Sequence, residues 1–411
     1  MTRPLLLAAT LALLLATSSQ PAAGQETKTA WTATLLAGEL EAPVDLVFGP
    51  DGTLYYAELA TGKIRAIPPG ANAPLPEALA EVKTTMTENG GFLGLALDPD
   101  FEETGAFFVY YSFEKAGAKN GQVNRVSRID AEGERVLLDD IPYFERHNGG
   151  RLVFTGPDTL VVSVGDNELR APAQDRASLL GKMLRMTREG EPAPDNPDPT
   201  SLVYTFGHRN AFGLAWDAES GTLWSTENGP QSRDEINVIT AGGNYGWPDR
   251  LGYTQESRFV SPVFVHEATI GPTGATVLDG ELYYGAVNDG KLRHLARQAN
   301  GSYAAEVVWD GVTILDVEAG PDGRLYVGSF KDITVLTPPG GEPPAHSLPT
   351  PPPKPTTPPA STSPGVPATT SPPPTESSEA PTGAAAIPGP GVALAFGALV
   401  VALATLRRGQ R

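Results

Sequence analysis

The chain has 411 residues, with 48 acidic and 30 basic side chains and a formal net charge of -18 at pH 7. This balance excludes a nucleic acid as an expected partner, because phosphate binding requires a basic face. The chain contains no cysteine, which excludes disulfides and a covalently attached c-type haem. The fold must therefore be held by packing, to which a bound metal could add.

The N-terminal segment, residues 1–24, predicts a secretory signal peptide. Arg3 is followed by an apolar run from Leu5 to Ala16 and then by small and polar residues, which is the order of regions in a cleaved leader. The alternative is an N-terminal membrane anchor, but the apolar run is short for a bilayer span. We therefore expect an exported protein.

A repeated phrase occupies residues 28–337. Each copy reads as an apolar strand, a turn that is often Gly-Pro-Asp-Gly, and a second strand rich in Leu, Tyr and Val. The six copies begin at Asp45, Gly94, Arg151, Gly213, Gly274 and Asp316. Strand pairs that recur every ~40–60 residues are typical of propeller blades. The sequence therefore predicts an all-β, six-bladed β-propeller, with a β-sandwich as the alternative. Within it, the segment Ser178–Met186 fits either a helix or a buried strand.

Two polar segments next to glycines could carry chemistry. His147 lies in Glu145-Arg-His-Asn-Gly-Gly-Arg151, directly before the third copy, and an accessible imidazole suits a general base. The alternative is a turn histidine bonded to backbone. Arg209 and Asn210 follow His208 before the fourth copy, and the planar guanidinium suits a carboxylate, carbonyl or phosphate. Their alternative is a hydrogen-bonded clamp between blades.

A third segment combines carboxylates, amides and a Gly-Pro turn. It runs from Glu227 to Asn237 and is followed by Gly242-Gly-Asn-Tyr-Gly-Trp-Pro248. Carboxylate and carbonyl oxygens are the ligands that Ca²⁺ prefers in flexible loops. Asp234 could instead orient a histidine. An ordinary polar turn remains the alternative for the whole segment.

The C-terminal region predicts a stalk and an anchor. Residues 338–383 form a Pro/Thr/Ser-rich linker that has no apolar pattern to bury and should be extended. Residues 384–406 form an apolar transmembrane or sorting segment, and the basic end, 407–411, would stay in the cytoplasm. This order predicts an extracellular, cell-surface protein, held by the tail or released by processing.

Taken together, residues 35–337 resemble the soluble glucose/sorbosone dehydrogenase family, whose members use pyrroloquinoline quinone (PQQ). Four phrases carry the resemblance in chain order, beginning at His147, Gly207, Glu227 and Gly243. The resemblance implies an oxidoreductase that converts the anomeric hydroxyl of an aldose to a lactone and passes electrons to an external acceptor. It makes His147 the catalytic base and Asp234 its acidic partner.

The resemblance also implies cofactor and metal ligands. Three of them, Arg209, Asn210 and Asn228, match residues that contact PQQ. The carbonyls of Gly229 and Pro230 match ligands of the Ca²⁺ beside the quinone, where the ion acts as a Lewis acid. A second, structural calcium site in some family members matches Glu235 and Tyr245.

The last part of the predicted site departs from the family. Thr313 and Leu315 stand where the family commonly has two arginines that face the carboxylates of PQQ. Two weaker matches to cofactor-facing residues are Thr273 and Lys291, and Lys291, Arg324 or Lys331 could replace the missing charge. The alternative function is therefore a cell-surface propeller that binds carbohydrate or another ligand without turnover; a hydrolase or lactonase propeller is a third.

Overall fold

The computed structural model describes residues 30–87 and 89–339. The predicted signal peptide, the linker beyond residue 339, the apolar C-terminal segment and the basic end lie outside the described residues. Among the helices of the described ranges, none has the length and apolar character needed to cross a bilayer.

The described chain forms six separate four-stranded antiparallel sheets. The first strand, β1 (Thr32–Ala37), completes the last sheet. Blade 1 contains β2 (Pro43–Phe48), β3 (Leu54–Glu58), β4 (Lys63–Ile67) and β5 (Ala80–Glu81). Blade 2 contains β6 (Phe92–Leu97), β7 (Phe107–Glu114), β8 (Gln122–Asp130) and β9 (Gly133–Pro142). Blade 3 contains β10 (Leu152–Gly156), β11 (Thr159–Val164), β12 (Lys182–Met186) and β13 (Val203–Phe206).

The other three blades repeat this pattern. Blade 4 contains β14 (Ala211–Asp217), β15 (Thr222–Glu227), β16 (Asp234–Ile239) and β17 (Phe264–His266). Blade 5 contains β18 (Pro272–Leu278), β19 (Glu281–Ala286), β20 (Lys291–Arg297) and β21 (Tyr303–Asp310). Blade 6 contains β22 (Asp316–Ala319), β23 (Leu325–Gly328) and β24 (Ile333–Thr337), with β1 as its outer strand. The helical segments are α1 (Phe101–Thr104) and a 3-10 turn (Ala171–Gln174).

The predicted all-β, six-bladed propeller is confirmed, and the six phrases are the two inner strands of the six blades. Their turns show why the phrase recurs. Asp51 accepts hydrogen bonds at 2.9 Å from both the N–H and the hydroxyl of Thr53, while Gly52 adopts a φ of 80°. Aspartate closes such a turn with its own side chain, and glycine takes the left-handed conformation without strain. The helical alternative for Ser178–Met186 is wrong, because its second half is β12.

A buried arginine connects the blades across the channel. Arg151, on blade 3, lies 2.9 Å from the carboxylate of Asp45 on blade 1 and 3.4 Å from that of Asp316 on blade 6. It also donates to the carbonyls of Phe212 and Leu315, both at 3.0 Å. One guanidinium therefore ties blade 3 to blades 1, 4 and 6.

The two carboxylates that contact Arg151 also accept hydrogen bonds from other blades. Asp45 accepts the N–H of Leu95 on blade 2 at 2.8 Å, and Asp316 accepts the N–H of Leu46 on blade 1 at 2.7 Å. Burial raises the pKa of both carboxyl groups, although Arg151 opposes that rise. The nearby Glu318 has its pKa raised to about 8, first by burial and then by Asp45.

Replacing Arg151 with methionine should destabilise the propeller strongly, because two buried carboxylates lose their countercharge. Breaking a buried ion pair in this way costs about 3–5 kcal/mol of unfolding free energy. Urea denaturation at pH 7, followed by tryptophan fluorescence, measures the change. The control is Arg135→Met, which removes the exposed ion pair with Glu189 and should cost at most about 1 kcal/mol. Equal losses in both variants would contradict the axial role of Arg151.

Glu318 should make the protein less stable as the pH rises from about 4.5 to about 8. In this window the folded protein keeps a proton that the unfolded chain has released, so raising the pH favours unfolding. Glu318→Gln should remove the part of this dependence that Glu318 causes, so its stability relative to the parent should rise by on the order of 2 kcal/mol between pH 5 and 8.5. Urea denaturation across that range tests it, with the exposed Glu306→Gln as control. Parallel pH profiles for parent and Glu318→Gln would refute the prediction.

Candidate active site

His147 faces a cavity at one mouth of the channel and is held by a carboxylate. Its Nδ1 lies 2.7 Å from Oδ1 of Asp166, which is fully buried. Burial alone would raise the pKa of Asp166, but the hydrogen bonds from His147, Trp247 and the Glu168 N–H together lower it. An ionised carboxylate accepts a hydrogen bond from Nδ1–H, which keeps the proton on Nδ1 and leaves Nε2 as the basic nitrogen.

The loops that carry this pair have an unusual backbone. His147, Asn167, Glu168 and Arg170 have φ values of 61°, 52°, 57° and 60°, a left-handed region that non-glycine residues seldom adopt. Gly165 permits the close approach of the two loops, since a Cβ there would lie 1.9 Å from the carbonyl oxygen of His147. Backbone strain concentrated in this way is typical of functional sites.

Trp247 contacts the His147–Asp166 pair through the carboxylate of Asp166. Its indole N–H donates to the second oxygen of Asp166 at 2.7 Å. The guanidinium groups of Arg170 and Arg209 each lie 5.5 Å from its ring, within the range of a cation–π contact. The segment 242–248 was expected to supply the metal ligand Tyr245, and this structural role of Trp247 was not predicted.

Most of the predicted site residues converge on this cavity, which measures about 800 Å³. The predicted residues that line it are His147, Arg209, Asn210, Asn228, Gly229, Pro230 and Thr273. They come from the loops of blades 3, 4 and 5, at the ends of the strands that face this mouth. The ring therefore brings together the phrases that begin at His147, Gly207 and Glu227, whereas residues 243–248 are absent from the described lining of this cavity.

The cavity floor is an ordered set of donors. Arg209 donates to the carbonyl of Asn228 at 2.8 Å, and the Asn228 amide donates to the carbonyl of Pro272 at 3.0 Å. Thr273 donates its hydroxyl to the carbonyl of Ile314 at 3.0 Å. Burial lowers the pKa of Arg209, although Asp166, Glu227 and Asp234 oppose this. This floor suits a planar ligand that carries carboxylates and carbonyls.

Asp234 is not the acidic partner of His147, and that prediction is wrong. Its Oδ1 accepts the N–H of Gly229 at 2.8 Å, and its Oδ2 accepts the N–H groups of Ile270 and Gly271 at 2.7 and 2.8 Å. The carboxylate is fully buried behind the cavity wall, and burial raises its pKa. Asp234 therefore shapes the Gly229-Pro230 turn, whose carbonyl oxygens could serve a hard cation.

Lys291 does not reach the cavity, so the prediction that it contacts the cofactor is wrong. It begins β20, the third strand of its blade, and its ammonium lies 3.8 Å from Asp310 on the outer strand. Third strands lie away from the axis, and the neighbouring carboxylate attracts the side chain outward. Neither Arg324 nor Lys331 lines the cavity either.

Glu235 and Tyr245 meet at a separate small cavity behind the main one, lined also by Arg209 and Glu227. Glu235 accepts the N–H of Gly252 at 2.6 Å, and burial together with Glu227 raises its pKa to about 8. The Tyr245 hydroxyl donates to the carbonyl of Val238 at 2.7 Å. Across residues 30–87 and 89–339, no group of three acidic or histidine side chains is arranged to hold a metal. Calcium at this pair stays a prediction.

The wall opposite His147 is apolar. Leu315 lines it together with Val44, Leu59 and Phe330. The departure at Leu315 therefore leaves this wall without charge. The cations of the described cavity lining are Arg146, Arg170 and Arg209, and only the last was predicted.

Replacing Asp234 with asparagine should lower the stability of the protein, because an amide NH₂ would face backbone N–H donors. The expected loss is about 1–3 kcal/mol of unfolding free energy. Thermal denaturation monitored by circular dichroism measures it. The control Asp198→Asn changes an aspartate of an exposed turn, where asparagine also fits. Unchanged unfolding with complete loss of sugar oxidation would instead restore Asp234 as a catalytic group.

Comparison with known proteins agrees with this geometry. A family model described as Glucose / Sorbosone dehydrogenase matches residues 40–334. The aldose sugar dehydrogenase YliI of Escherichia coli is 30% identical over 331 residues, which cover 71% of this chain and 88% of that protein. Quinoprotein glucose dehydrogenase B of Acinetobacter calcoaceticus is 32% identical over 259 residues, covering 55% of this chain and 54% of its own length.

A solved structure is similar over the same region. The PQQ-bound form of aldose sugar dehydrogenase from Streptomyces coelicolor superposes with a TM-score of 0.66 at 29% identity. The match covers 75% of this chain and 98% of that one. The similarity therefore extends over nearly the whole of a protein whose structure contains PQQ.

Proposed function

Because the chain belongs to the glucose/sorbosone dehydrogenase family and is an oxidoreductase of the aldose dehydrogenase type, we propose that it oxidises the anomeric carbon of an aldose to the lactone. The observation that carries the proposal is the His147–Asp166 pair, which faces a cavity floored by Arg209, Asn210 and Asn228. A base held in this way can take the proton of the anomeric hydroxyl.

The residues present fit the family cofactor. Arg209 and Asn228 keep N–H groups beyond those bonded to protein carbonyls and would hold the polar edge of PQQ, with Thr273 beside them. The Gly229 and Pro230 carbonyls would hold Ca²⁺ beside the cofactor. When bound, PQQ would supply a two-electron acceptor for the hydride of C1, from which electrons would pass to an external acceptor, and Ca²⁺ would supply a Lewis acid. The apolar wall at Leu315 would exclude water from the opposite side.

His147 performs the proton chemistry in this proposal. Asp166 fixes Nδ1 as the protonated nitrogen, so Nε2 receives the hydroxyl proton of the sugar. The imidazolium that forms is stabilised by the same carboxylate, which Trp247 holds from its other oxygen. Asp166 and Trp247 thus position the base rather than touch the substrate.

We further propose that the reaction takes place outside the cell. The proposal rests on the signal-like residues 1–24 and on the Pro/Thr/Ser-rich linker followed by an apolar segment and arginines. The propeller would then draw on sugars in the surroundings, at the cell surface or after release from it.

His147→Ala should abolish sugar oxidation, and Asp166→Asn should lower kcat by about 10²-fold or more with a smaller change in KM. The reason is that removing the base or its orienting carboxylate affects the proton transfer more than sugar binding. Steady-state assays with an artificial electron acceptor measure both constants. The control is His294→Ala on blade 5, whose imidazole pairs with Glu281 and does not line the cavity. Full activity of Asp166→Asn would refute its positioning role.

Reconstitution tests the proposed function as a whole. The purified full chain is incubated with Ca²⁺ and PQQ, cofactor binding is measured by calorimetry, and aldoses are then supplied with an artificial acceptor. Tight binding and turnover are expected. Absence of PQQ binding would refute the proposal and favour the alternative of a non-catalytic carbohydrate- or ligand-binding propeller, which the uncharged wall at Leu315 makes the second candidate.

A further inference from the structure

The cavity has the opposite charge balance from the rest of the chain. The whole protein carries 48 acidic against 30 basic residues. Among the described residues that line the cavity, Glu168 is the one acidic residue, whereas Arg146, Arg170 and Arg209 supply three guanidinium groups. At the rim, Arg146 and Arg170 face the single carboxylate of Glu168, and this balance favours an anion there.

The three arginines are not equivalent. Arg209 is partly buried in the floor, and its charge is offset by Asp166, Glu227 and Asp234. Arg146 at the rim forms an ion pair with Glu168 at 3.3 Å. Arg170, also at the rim, has no carboxylate within ion-pair distance among residues 30–87 and 89–339. Arg170 is therefore the guanidinium with unused charge.

Arg170 is nevertheless held in place. Its guanidinium lies over the Trp247 ring, and its backbone adopts a φ of 60° immediately before the 3-10 turn. Trp247 is also bonded to Asp166, the partner of His147. A free, positioned guanidinium thus stands on the same indole that supports the base.

Arg170 is more exposed to solvent than the residues that are expected to contact the cofactor. Thr273 is 5% exposed and Arg209 is partly buried, so the floor is the place for a bound planar cofactor. Arg146 and Arg170 are exposed at the rim beside His147, where a sugar must enter. The carboxylates of a cofactor on the floor would meet Arg209 first.

We propose that the sugar oxidised here carries a carboxylate, as a hexuronate does, and that Arg170 binds this group while His147 acts at C1. The inference rests on the proposed function and specifies its substrate class. Arginine matches a carboxylate through two parallel N–H donors, and such charge-assisted bonds are stronger than those to a neutral hydroxyl or amide.

The test compares D-glucuronate with D-glucuronamide, which have the same ring and anomeric hydroxyl but differ in charge at C6. The full chain, loaded with Ca²⁺ and PQQ, is assayed with both sugars and an artificial acceptor at low and at moderate salt. The quantity measured is the ratio of kcat/KM for glucuronate to that for glucuronamide. We expect a ratio of about 10 at low salt, falling as salt screens the contact.

Arg170→Gln should lower this ratio by about fivefold, and Arg170→Lys should restore part of it, because lysine keeps the charge but not the planar fork. The matched control is Arg258→Gln, an exposed arginine that pairs with Glu256 on another loop and does not line the cavity. It should leave the ratio unchanged. A parental ratio of one or less, or a ratio that Arg170→Gln does not alter, would overturn the inference.

A binding measurement separates this inference from the proposed function. If no aldose is turned over, the proposed function fails. Calorimetric titration of the same protein with the two sugars then tests whether Arg170 binds the carboxylate of an acidic sugar. Glucuronate binding that exceeds glucuronamide binding and is lost in Arg170→Gln supports an acidic sugar as ligand. Equal binding of the two sugars, or equal binding by parent and variant, overturns it.

Discussion

The guanidinium of Arg151 is the interaction on which the arrangement of the propeller depends. It projects from blade 3 and contacts the side chains or carbonyls of blades 1, 4 and 6 within 3.4 Å. Adjacent blades pack through apolar side chains, which are non-directional and leave some freedom in blade rotation. A charge bonded to several blades removes that freedom, because its buried carboxylates permit few arrangements.

The contacts of Arg151 also fix part of the cavity. Arg151 follows the loop that carries His147, and two carbonyls that it binds, those of Phe212 and Leu315, belong to residues of the cavity lining. Part of the cavity lining thus belongs to the network around Arg151 as well. This explains how strained loops at His147 and Arg170 are tolerated, since a rigid base can hold backbone conformations that are unfavourable locally.

Sequence reasoning identified the blades from local patterns, and the matched family phrases supplied seven of the residues that line the cavity. Turn residues and alternating strands mark each blade without reference to distant contacts. Asp166 was missed although it ends the third phrase, since nothing local shows that its carboxylate turns toward His147 on the preceding loop. The available signal was its position in the blade. Asp166 follows β11, the second strand of blade 3, and the acidic residue Glu227 ends β15, the second strand of blade 4.

Other errors arose from contacts that a linear pattern does not contain. Asp234 matched a family phrase, but its three backbone donors come from two different loops. Lys291 was placed by a loose match, whereas its direction is set by Asp310 on the neighbouring strand. Arg170 carries no motif, and only the fold places it over Trp247. Charge at a site is therefore harder to predict than the strands that surround it.

The closing strand pair has a consequence for orientation. β1 and β24 are antiparallel, and Thr32 is the register partner of Thr337. β22 starts at the mouth that holds His147, so β24 runs away from that mouth and ends at the opposite face, where β1 begins. The described chain consequently enters and leaves on the side remote from the cavity. A surface attached through either end would lie behind the propeller, and the mouth that holds His147 would open away from it.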